Sequence, residues 1–273
     1  MELARQKQAR IFAAQIRIET LKALGHLGFG HLGGSLSIAD LLAVLYSGEM
    51  KVDPANPNWE DRDFLVCSKG HAGPAIYATL ALRGFFPKEE LATLNRPGTK
   101  LPSHCDKNKT PGIDCTTGSL GQGTSQAVGM ALGAKHTGNP CHVYTIIGDG
   151  ESQEGLVWEA SMAAAHYHLD NLTVIFDHNG LQIDGSNDQV MSLGDIGAKF
   201  AAFGYDIIEV KDGNDMQQVL DALHAPACPG KPRLIWLHTL KGKGVSYMEG
   251  QVGWHGKAPN AEQCAQALKD LEG

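Results

Sequence analysis

The sequence predicts a single α/β domain with a mostly parallel sheet and helices on both faces. Short apolar segments alternate with helical segments along the 273 residues, and neighbouring parallel strands require such helical crossovers. The 33 glycines gather in the turns between the segments, where the strand ends of an α/β protein carry a site. No Pro- or Ser-rich linker interrupts the pattern, so we expect one domain over residues 1–273.

The spacing of apolar residues defines the individual elements. It predicts a long helix over 2–24 and a second helix over 38–46, with Ser37 as a candidate N-cap. A loop is expected over 87–114, because this stretch holds four prolines. The predicted strands cover 63–67, 142–147, 172–177, 206–210 and 233–238. The remaining predicted helices cover 71–83, 151–168, 196–203 and 216–224, and one further helix follows the glycine-rich turn 118–123.

Composition is that of an ordinary water-soluble globular protein. The net charge of −7 comes without any run of basic residues, which argues against nucleic-acid binding. No apolar stretch is long enough to span a membrane, and the first residues lack the apolar core of a signal peptide, so we expect a cytoplasmic protein. The six cysteines contain no C-x-x-C pair, which favours free thiols over a zinc site or a disulfide framework.

Polar residues follow two neighbouring strands of the predicted sheet. Asp149 follows one strand in Gly-Asp-Gly, and Asn179 follows the next strand along the chain. Ligands of such sheets bind at the carboxyl ends of the strands. A carboxylate, an amide oxygen and the backbone carbonyl of Leu181 are the oxygen ligands that a hard divalent cation prefers. Taken alone, however, Asp149 could cap a helix and Asn179 could be a turn residue.

The same stretch suits an anion beside the cation. Gly148 and Gly150 carry no Cβ, so their backbone can approach a phosphate closely, and the predicted helix over 151–168 begins there with its anion-favouring end. Two common phosphate motifs are absent: GDGESQ (148–153) and GQGTSQ (121–126) lack the last glycine of G-x-G-x-x-G, and no G-x-x-x-x-G-K-[ST] occurs. These absences disfavour a Rossmann dehydrogenase and a P-loop enzyme.

Gly-Asp-Gly followed by Asn179 resembles the thiamine diphosphate motif of thiamine-dependent enzymes. Further stretches are similar to transketolases in particular, and they occur in the order of that family over nearly the whole chain. They are GHLGGSLSIADLL (30–42), SKGHAGPAIYATL (68–80), TTGSLGQGTSQAVGMALGAK (116–135), GDGESQEGLVWEAS (148–161) and GWHGKAPN (253–260). The resemblance implies the thiamine diphosphate-binding fold of the transketolase diphosphate-binding domain.

The resemblance also implies which residues bind cofactor and metal. Asp149, Asn179 and the carbonyl of Leu181 would hold Mg²⁺ or Ca²⁺, which would bridge both phosphates of thiamine diphosphate. The backbones of Gly118 and Leu120 would contact the aminopyrimidine ring. The other implied cofactor residues are Gly150 and His71 at the diphosphate, His255 beside the reacting centre, Ile183 under the thiazolium ring, and Glu154.

Catalytic roles follow from the same resemblance. His31 and His104 match histidines of the substrate channel, and His255 flanks the reacting carbon. Imidazoles exchange protons near neutral pH, which suits ketol chemistry. Glu154 matches a carboxylate of a network at the transketolase dimer interface, whereas Glu151 is expected on a solvated helix face.

The chain departs from full-length transketolases in two ways. In TLKGKGVSYMEGQ (239–251), Lys243 could reach the diphosphate as a point charge or could be solvated. The chain also resembles only the first of three domains, and the absent pyrimidine-binding domain carries the glutamate that activates the cofactor. We therefore expect the N-terminal subunit of a split transketolase, active only with a C-terminal partner subunit in an α₂β₂ assembly.

The expected reaction is transfer of a two-carbon ketol group from a ketose to an aldose acceptor. We expect the ketose to be phosphorylated, and a sulfonated or branched sugar stays open as an alternative. Three alternatives stay open. One is another thiamine-dependent subunit, of the 2-oxo acid dehydrogenase E1 or deoxyxylulose-phosphate synthase type. The second is a regulatory paralogue without activity. The third is a metal-dependent hydrolase that uses Asp149 and Glu154 without thiamine.

Overall fold

Five parallel strands form one sheet, in the order β1-β2-β3-β5-β4. The computed structural model describes residues 2–272, with side chains from residue 6 onward. Each strand lies within one residue of its predicted range. The strands are β1 Phe64–Cys67, β2 Val143–Gly148, β3 Leu172–His178, β4 Asp206–Val210 and β5 Arg233–His238.

All of the predicted helices are present, and three helices were not predicted: the short α2 and α7 and the C-terminal α10. The helices are α1 Glu2–Leu27, α2 Gly33–Leu36, α3 Ala39–Val44, α4 Gly73–Leu82, α5 Gln122–Thr137, α6 Gly155–His166, α7 Asn187–Val190, α8 Ile196–Phe203, α9 Met216–His224 and α10 Ala261–Glu272. Within the described residues, none of them is both long and apolar enough to cross a membrane. All six cysteines are free thiols, as predicted.

Apolar side chains on both faces of the sheet hold it between two layers of helices. Side chains alternate between the faces of a strand, and Ile146, Ile175 and Ile235 form one cross-strand row. This row belongs to the core cluster that contains buried residues of α1, α3 and α4. The next positions, including Ile147 and Phe176, belong to a second cluster with α5, α6 and α8. The predicted helices on both faces are thereby confirmed.

Two local predictions were wrong, and both errors lie at the carboxyl edge of the sheet. Ser37 does not cap α3; its buried hydroxyl donates to Asp177, 2.8 Å away. The helix predicted over 151–168 begins only at Gly155, because a 3-10 turn occupies Gly150–Gln153 and Glu154 has extended backbone angles. Ser37 keeps helical backbone angles while its side chain bonds a distant segment, whereas at Glu154 the backbone itself leaves the helical pattern.

Gly123 at the start of α5 allows two site loops to touch. A Cβ on this residue would lie 2.6 Å from Ser68 Oγ and 2.7 Å from Ser68 Cα. We predict that Gly123→Ala lowers the free energy of unfolding by about 1–3 kcal/mol, because backbone must move to relieve the overlap. Denaturant unfolding of the purified chain measures this loss.

Gly129 supplies the matched control on the same helix. A Cβ there meets nothing within 4 Å, so Gly129→Ala should gain helix propensity and stabilise the chain by up to about 1 kcal/mol. Equal effects of the two substitutions would contradict the close approach at Gly123.

Candidate active site

A cleft of about 290 Å³ opens at the carboxyl ends of the strands. Lys69, Asp149, Asn179 and Lys241 line it, and they follow β1, β2, β3 and β5 respectively. Parallel strands bring their carboxyl ends to one edge, which is why residues distant in sequence meet here. The predicted Asp149–Asn179 pair is therefore part of one cleft.

Asp149 is 3% exposed and is the best-connected acceptor of the cleft. Its Oδ2 accepts the backbone N–H groups of Asn179 and Gly180, each at 2.9 Å. Its Oδ1 accepts His178 Nδ1 at 2.5 Å and Asn187 Nδ2 at 2.9 Å. A carboxylate offers about four lone-pair sites, so a cation bound to Asp149 would replace one of these donors.

Asn179 and Leu181 belong to the loop that folds over Asp149. The Asn179 side-chain oxygen accepts the N–H of Leu181 at 3.2 Å, and both residues line the cleft. No group of three or more His, Cys, Asp or Glu side chains suited to a metal occurs in residues 2–272. A site built from one carboxylate, one amide and one backbone carbonyl lies outside that pattern, and these oxygen ligands suit Mg²⁺ or Ca²⁺.

The residues predicted to contact the cofactor lie at different depths. Leu120 and Gly150 line the cleft, and Ile183 stands at its rim with 65% of its surface exposed. Gly118, at φ +143°, packs beside His104, and a Cβ on it would lie 3.2 Å from that ring. A side chain at Gly118 would therefore push His104 out of place.

All four predicted histidines come together, with His71 and His255 lining the cleft and His31 and His104 packed behind them. The ring centroid of His31 lies 5.4 Å from that of His71, 5.9 Å from that of His104 and 5.2 Å from that of His255. The rings of His71 and His255 are 5.2 Å apart. They come from four separate stretches of sequence, and the structure gathers them into one histidine cluster.

Burial is the largest cause that lowers the pKa of each histidine in the cluster. Burial, then Lys69, lowers the pKa of His71 well below its ordinary value. Burial and Lys241 lower the pKa of His255 to about 4. Burial is also the main cause of the lowered pKa values of His31 and His104. Neutral imidazole both donates and accepts hydrogen bonds, so the cluster can relay protons between hydroxyl groups near neutral pH.

The structure places Lys241, and not the predicted Lys243, in the cleft. The Lys243 side chain is 40% exposed, lies 3.9 Å from Glu249, and does not line the cleft. Lys241 is 2% exposed and does line it, with its Nζ 3.2 Å from His255 Nδ1. Burial, then Lys69, lowers the pKa of Lys241 to about 8. The two lysines flank Gly242, at φ +77°, in a turn, and the local sequence does not say which of them faces the cleft.

The two glutamates of the Gly-Asp-Gly stretch have different surroundings. Glu154 is exposed at the cleft rim, at the N-cap of α6. Glu151, expected on a solvated face, is instead 2% exposed. Its carboxylate accepts hydrogen bonds from Ser68, Gly121 and Gly148, and burial raises its pKa. The local pattern held no signal for this burial, because Ser68 and Gly121 come from distant segments of the chain.

Comparison with known proteins agrees with this geometry. A family model described as "Transketolase, thiamine diphosphate binding domain" matches residues 8–272. The chain belongs to the transketolase family. As a transketolase chain, it is 50% identical over 98% of its length to a 6-deoxy-6-sulfo-D-fructose transketolase subunit of Clostridium sp., of which it covers 96%. It is 42% identical over 89% of its length to an apulose-4-phosphate transketolase subunit of Phocaeicola vulgatus, of which it covers 86%.

Solved structures give the same family. The transketolase of Leishmania mexicana superposes with a TM-score of 0.93 at 32% identity, over 97% of this chain and 41% of that one. The transketolase of Campylobacter jejuni superposes with a TM-score of 0.89 at 30% identity, over 100% of this chain and 43% of that one. The chain thus corresponds to one part of these longer transketolases, the thiamine diphosphate-binding part, and it is a subunit of a transketolase-type transferase.

We predict that acidification destabilises the chain through the histidine cluster. The pKa of His255 is about 4 in the folded chain and 6.5 in its ordinary state. The unfolded chain therefore takes up the proton first, and the stabilising contribution is present above pH 6.5 and is lost as the pH falls toward 4. His255→Gln should make the unfolding free energy depend less on pH in this window.

Denaturant unfolding at several pH values measures the difference between the two slopes. His136→Gln, at the exposed end of α5, is the matched control and should keep the wild-type slope. Equal slopes for wild type and His255→Gln, or a His255 ring that titrates near pH 6.5 by NMR, would contradict the prediction.

Proposed function

We propose that the chain is the N-terminal subunit of a cytoplasmic two-chain transketolase that uses thiamine diphosphate and Mg²⁺. Its partner is a C-terminal subunit with the pyrimidine-binding domain, in an α₂β₂ assembly. One observation carries the proposal: the Asp149–Asn179 loop, with its oxygen ligands, faces the histidine cluster across a single cleft. The six free thiols fit a reducing compartment.

The charges around the cleft favour a divalent cation as part of the site. The buried lysines Lys69 and Lys241 face the carboxylates of Asp149, Glu151 and Asp177. Two positive charges therefore do not outweigh the carboxylates, and a diphosphate anion needs further positive charge close by. Mg²⁺ held by Asp149, the Asn179 amide oxygen and the Leu181 carbonyl would supply it.

Residues of this chain would bind and orient the reactants. Bound thiamine diphosphate would supply the nucleophilic carbon and the electron sink that cleavage of the ketose requires. Gly150 and Lys241 would hold the diphosphate, and the backbones of Gly118 and Leu120 would orient the ring. The histidine cluster would exchange protons with substrate hydroxyl groups as the ketol group leaves the ketose and joins the aldose.

The cleft rim supports a partner that covers it. Ile183, Val190 and Met191 are 65%, 43% and 60% exposed beside the cleft, and apolar side chains clustered at a rim mark a binding surface. Glu154 lies exposed at the same rim, where an interface carboxylate would stand. Subunit names of the relatives that the chain covers almost completely also support a two-chain enzyme.

We further propose that the sugar substrates carry an anionic group at the end remote from the reaction. The two subunit relatives are named for a sulfonated ketose and for a phosphorylated branched sugar. Sulfonate and phosphate share negative charge and acceptor oxygens, so one site of arginine and lysine side chains could recognise either. Assays with both classes of sugar decide between them.

Reconstitution tests the proposed function. We expect transfer of a two-carbon unit between sugars only when the chain, its C-terminal partner, thiamine diphosphate and Mg²⁺ are all present. Asp149→Ala should abolish the activity of the complex, because the carboxylate that would hold the cation is lost. Asp221→Asn, on the exposed side of α9, is the control and should stay fully active.

Three results would contradict the proposal. Release of CO₂ from pyruvate would indicate a 2-oxo acid enzyme or a deoxyxylulose-phosphate synthase. Full activity of the complex with Asp149→Ala would indicate a regulatory role for the chain. Activity of the chain without thiamine diphosphate would indicate a hydrolase.

The two neighbouring lysines give a second test. We predict that Lys241→Met weakens binding of inorganic diphosphate with Mg²⁺ about tenfold or more, since a charge-assisted contact of about 1.5–3 kcal/mol is lost. Lys243→Met should change it by less than about threefold, because an exposed charge outside the cleft contributes little. Isothermal titration calorimetry measures both affinities. A larger loss of affinity for Lys243→Met than for Lys241→Met would support Lys243 as the diphosphate contact.

A further inference from the structure

Glu151 is a buried carboxylate that joins its own stretch, at the end of β2, to two distant segments beside the cleft. Its Oε1 accepts Ser68 Oγ at 2.5 Å and the backbone N–H of Gly121 at 2.9 Å, and its Oε2 accepts the backbone N–H of Gly148 at 3.3 Å. Ser68 follows β1, Gly121 precedes α5, and Gly148 ends β2. Ser68 and Gly121 are distant from Glu151 in the sequence, so the contacts do more than complete a local turn.

The Gly148 contact compensates for the end of a neighbouring strand. Pairing of β1 with β2 stops at Cys67 and Ile146, two residues before Gly148. Past that point β1 offers no partner to the Gly148 N–H, and a buried donor left unpaired is costly. Glu151 supplies the acceptor for Gly148, directly before the proposed diphosphate loop begins at Asp149.

The contact with Gly121 fixes the opposite wall of the cleft. Gly121, at φ +80°, is the N-cap of α5 and directly follows Leu120. The Ser68 loop is pressed against the same helix start at Gly123, where a Cβ would lie 2.6 Å from Ser68 Oγ. Glu151 therefore connects two loops of the cleft. One is the diphosphate loop, which begins at Asp149, and the other is the aminopyrimidine loop, residues 118–121.

We propose that Glu151 is a positioning residue that sets the distance between the diphosphate loop and the aminopyrimidine loop. The proposal rests on the proposed function for the identity of the ligand. A carboxylate suits this place because all of its described partners are donors and it only accepts. A glutamine has one accepting and one donating terminal atom, so it can satisfy Gly121 or Gly148 but not both.

Hydrogen–deuterium exchange of the ligand-free chain tests the structural half. In Glu151→Ala, the amides of Gly121 and Gly148 should both exchange about tenfold faster or more, as expected for loss of hydrogen bonds to a charged group. In Glu151→Gln, at least one of them should do so. Glu159 is an exposed carboxylate on α6, and in the control Glu159→Gln both amides should exchange as in the wild type.

Calorimetry with two ligands tests the positioning half. One probe is inorganic diphosphate with Mg²⁺, which contacts only the diphosphate loop. The other is thiamine diphosphate with Mg²⁺, which contacts both the diphosphate loop and the aminopyrimidine loop. In Glu151→Gln, the Kd of thiamine diphosphate should rise about tenfold, and that of diphosphate by less than about threefold. A merely structural role would weaken both ligands alike and raise exchange throughout the sheet, and either result would overturn the proposal.

The two proposals fail in different ways. A wild-type complex with the C-terminal partner that binds neither ligand would contradict the proposed cofactor site, while the exchange pattern would still decide the role of Glu151. Should Glu151→Gln not fold, Ser68→Ala removes one of the three donors with little change in volume. It should raise exchange in residues 68–72 about threefold or more, and unchanged exchange there would contradict the proposal.

Discussion

The buried ion pair between Lys69 and Asp177 is the contact on which the cleft depends. The two side chains are 1% and 0% exposed, and Lys69 Nζ lies 2.5 Å from Asp177 Oδ2. Ser37, Thr239 and Asn179 also donate to Asp177. Removing either partner of a buried pair leaves an uncompensated charge, which costs about 3–5 kcal/mol. One carboxylate at the end of β3 thereby ties together the segments that follow β1, β3 and β5.

This pair also sets the electrostatics of the site. Burial alone would raise the pKa of Asp177, but the Lys69 ammonium lowers it below its ordinary value. The same ammonium helps to lower the pKa values of His71 and Lys241. The Lys69 ammonium, although paired with Asp177, therefore acts with burial to disfavour protonation of the groups beside it. Structural support and tuning of the proton-exchanging groups thus come from one lysine.

The fold was largely predictable from the sequence, because hydrophobic periodicity determines the strands and helices of a parallel sheet. The neighbourhood of Asp149 and Asn179 followed from the rule that strand ends share an edge. The burial of Glu151, the partner of Ser37 and the choice between Lys241 and Lys243 did not follow. Each depends on donors and acceptors that come from distant segments, and a single sequence does not show how those segments meet.

Three carboxylates at the strand ends show why composition alone could not assign roles. Asp177 is neutralised by a lysine, Glu151 is occupied by backbone and hydroxyl donors, and Asp149 holds a loop through replaceable donors at the cleft wall. Only Asp149 combines access to the cleft with donors that a cation could displace. Of these three carboxylates, Asp149 is therefore the one that we propose for the metal, because the other two already hold the cleft in shape.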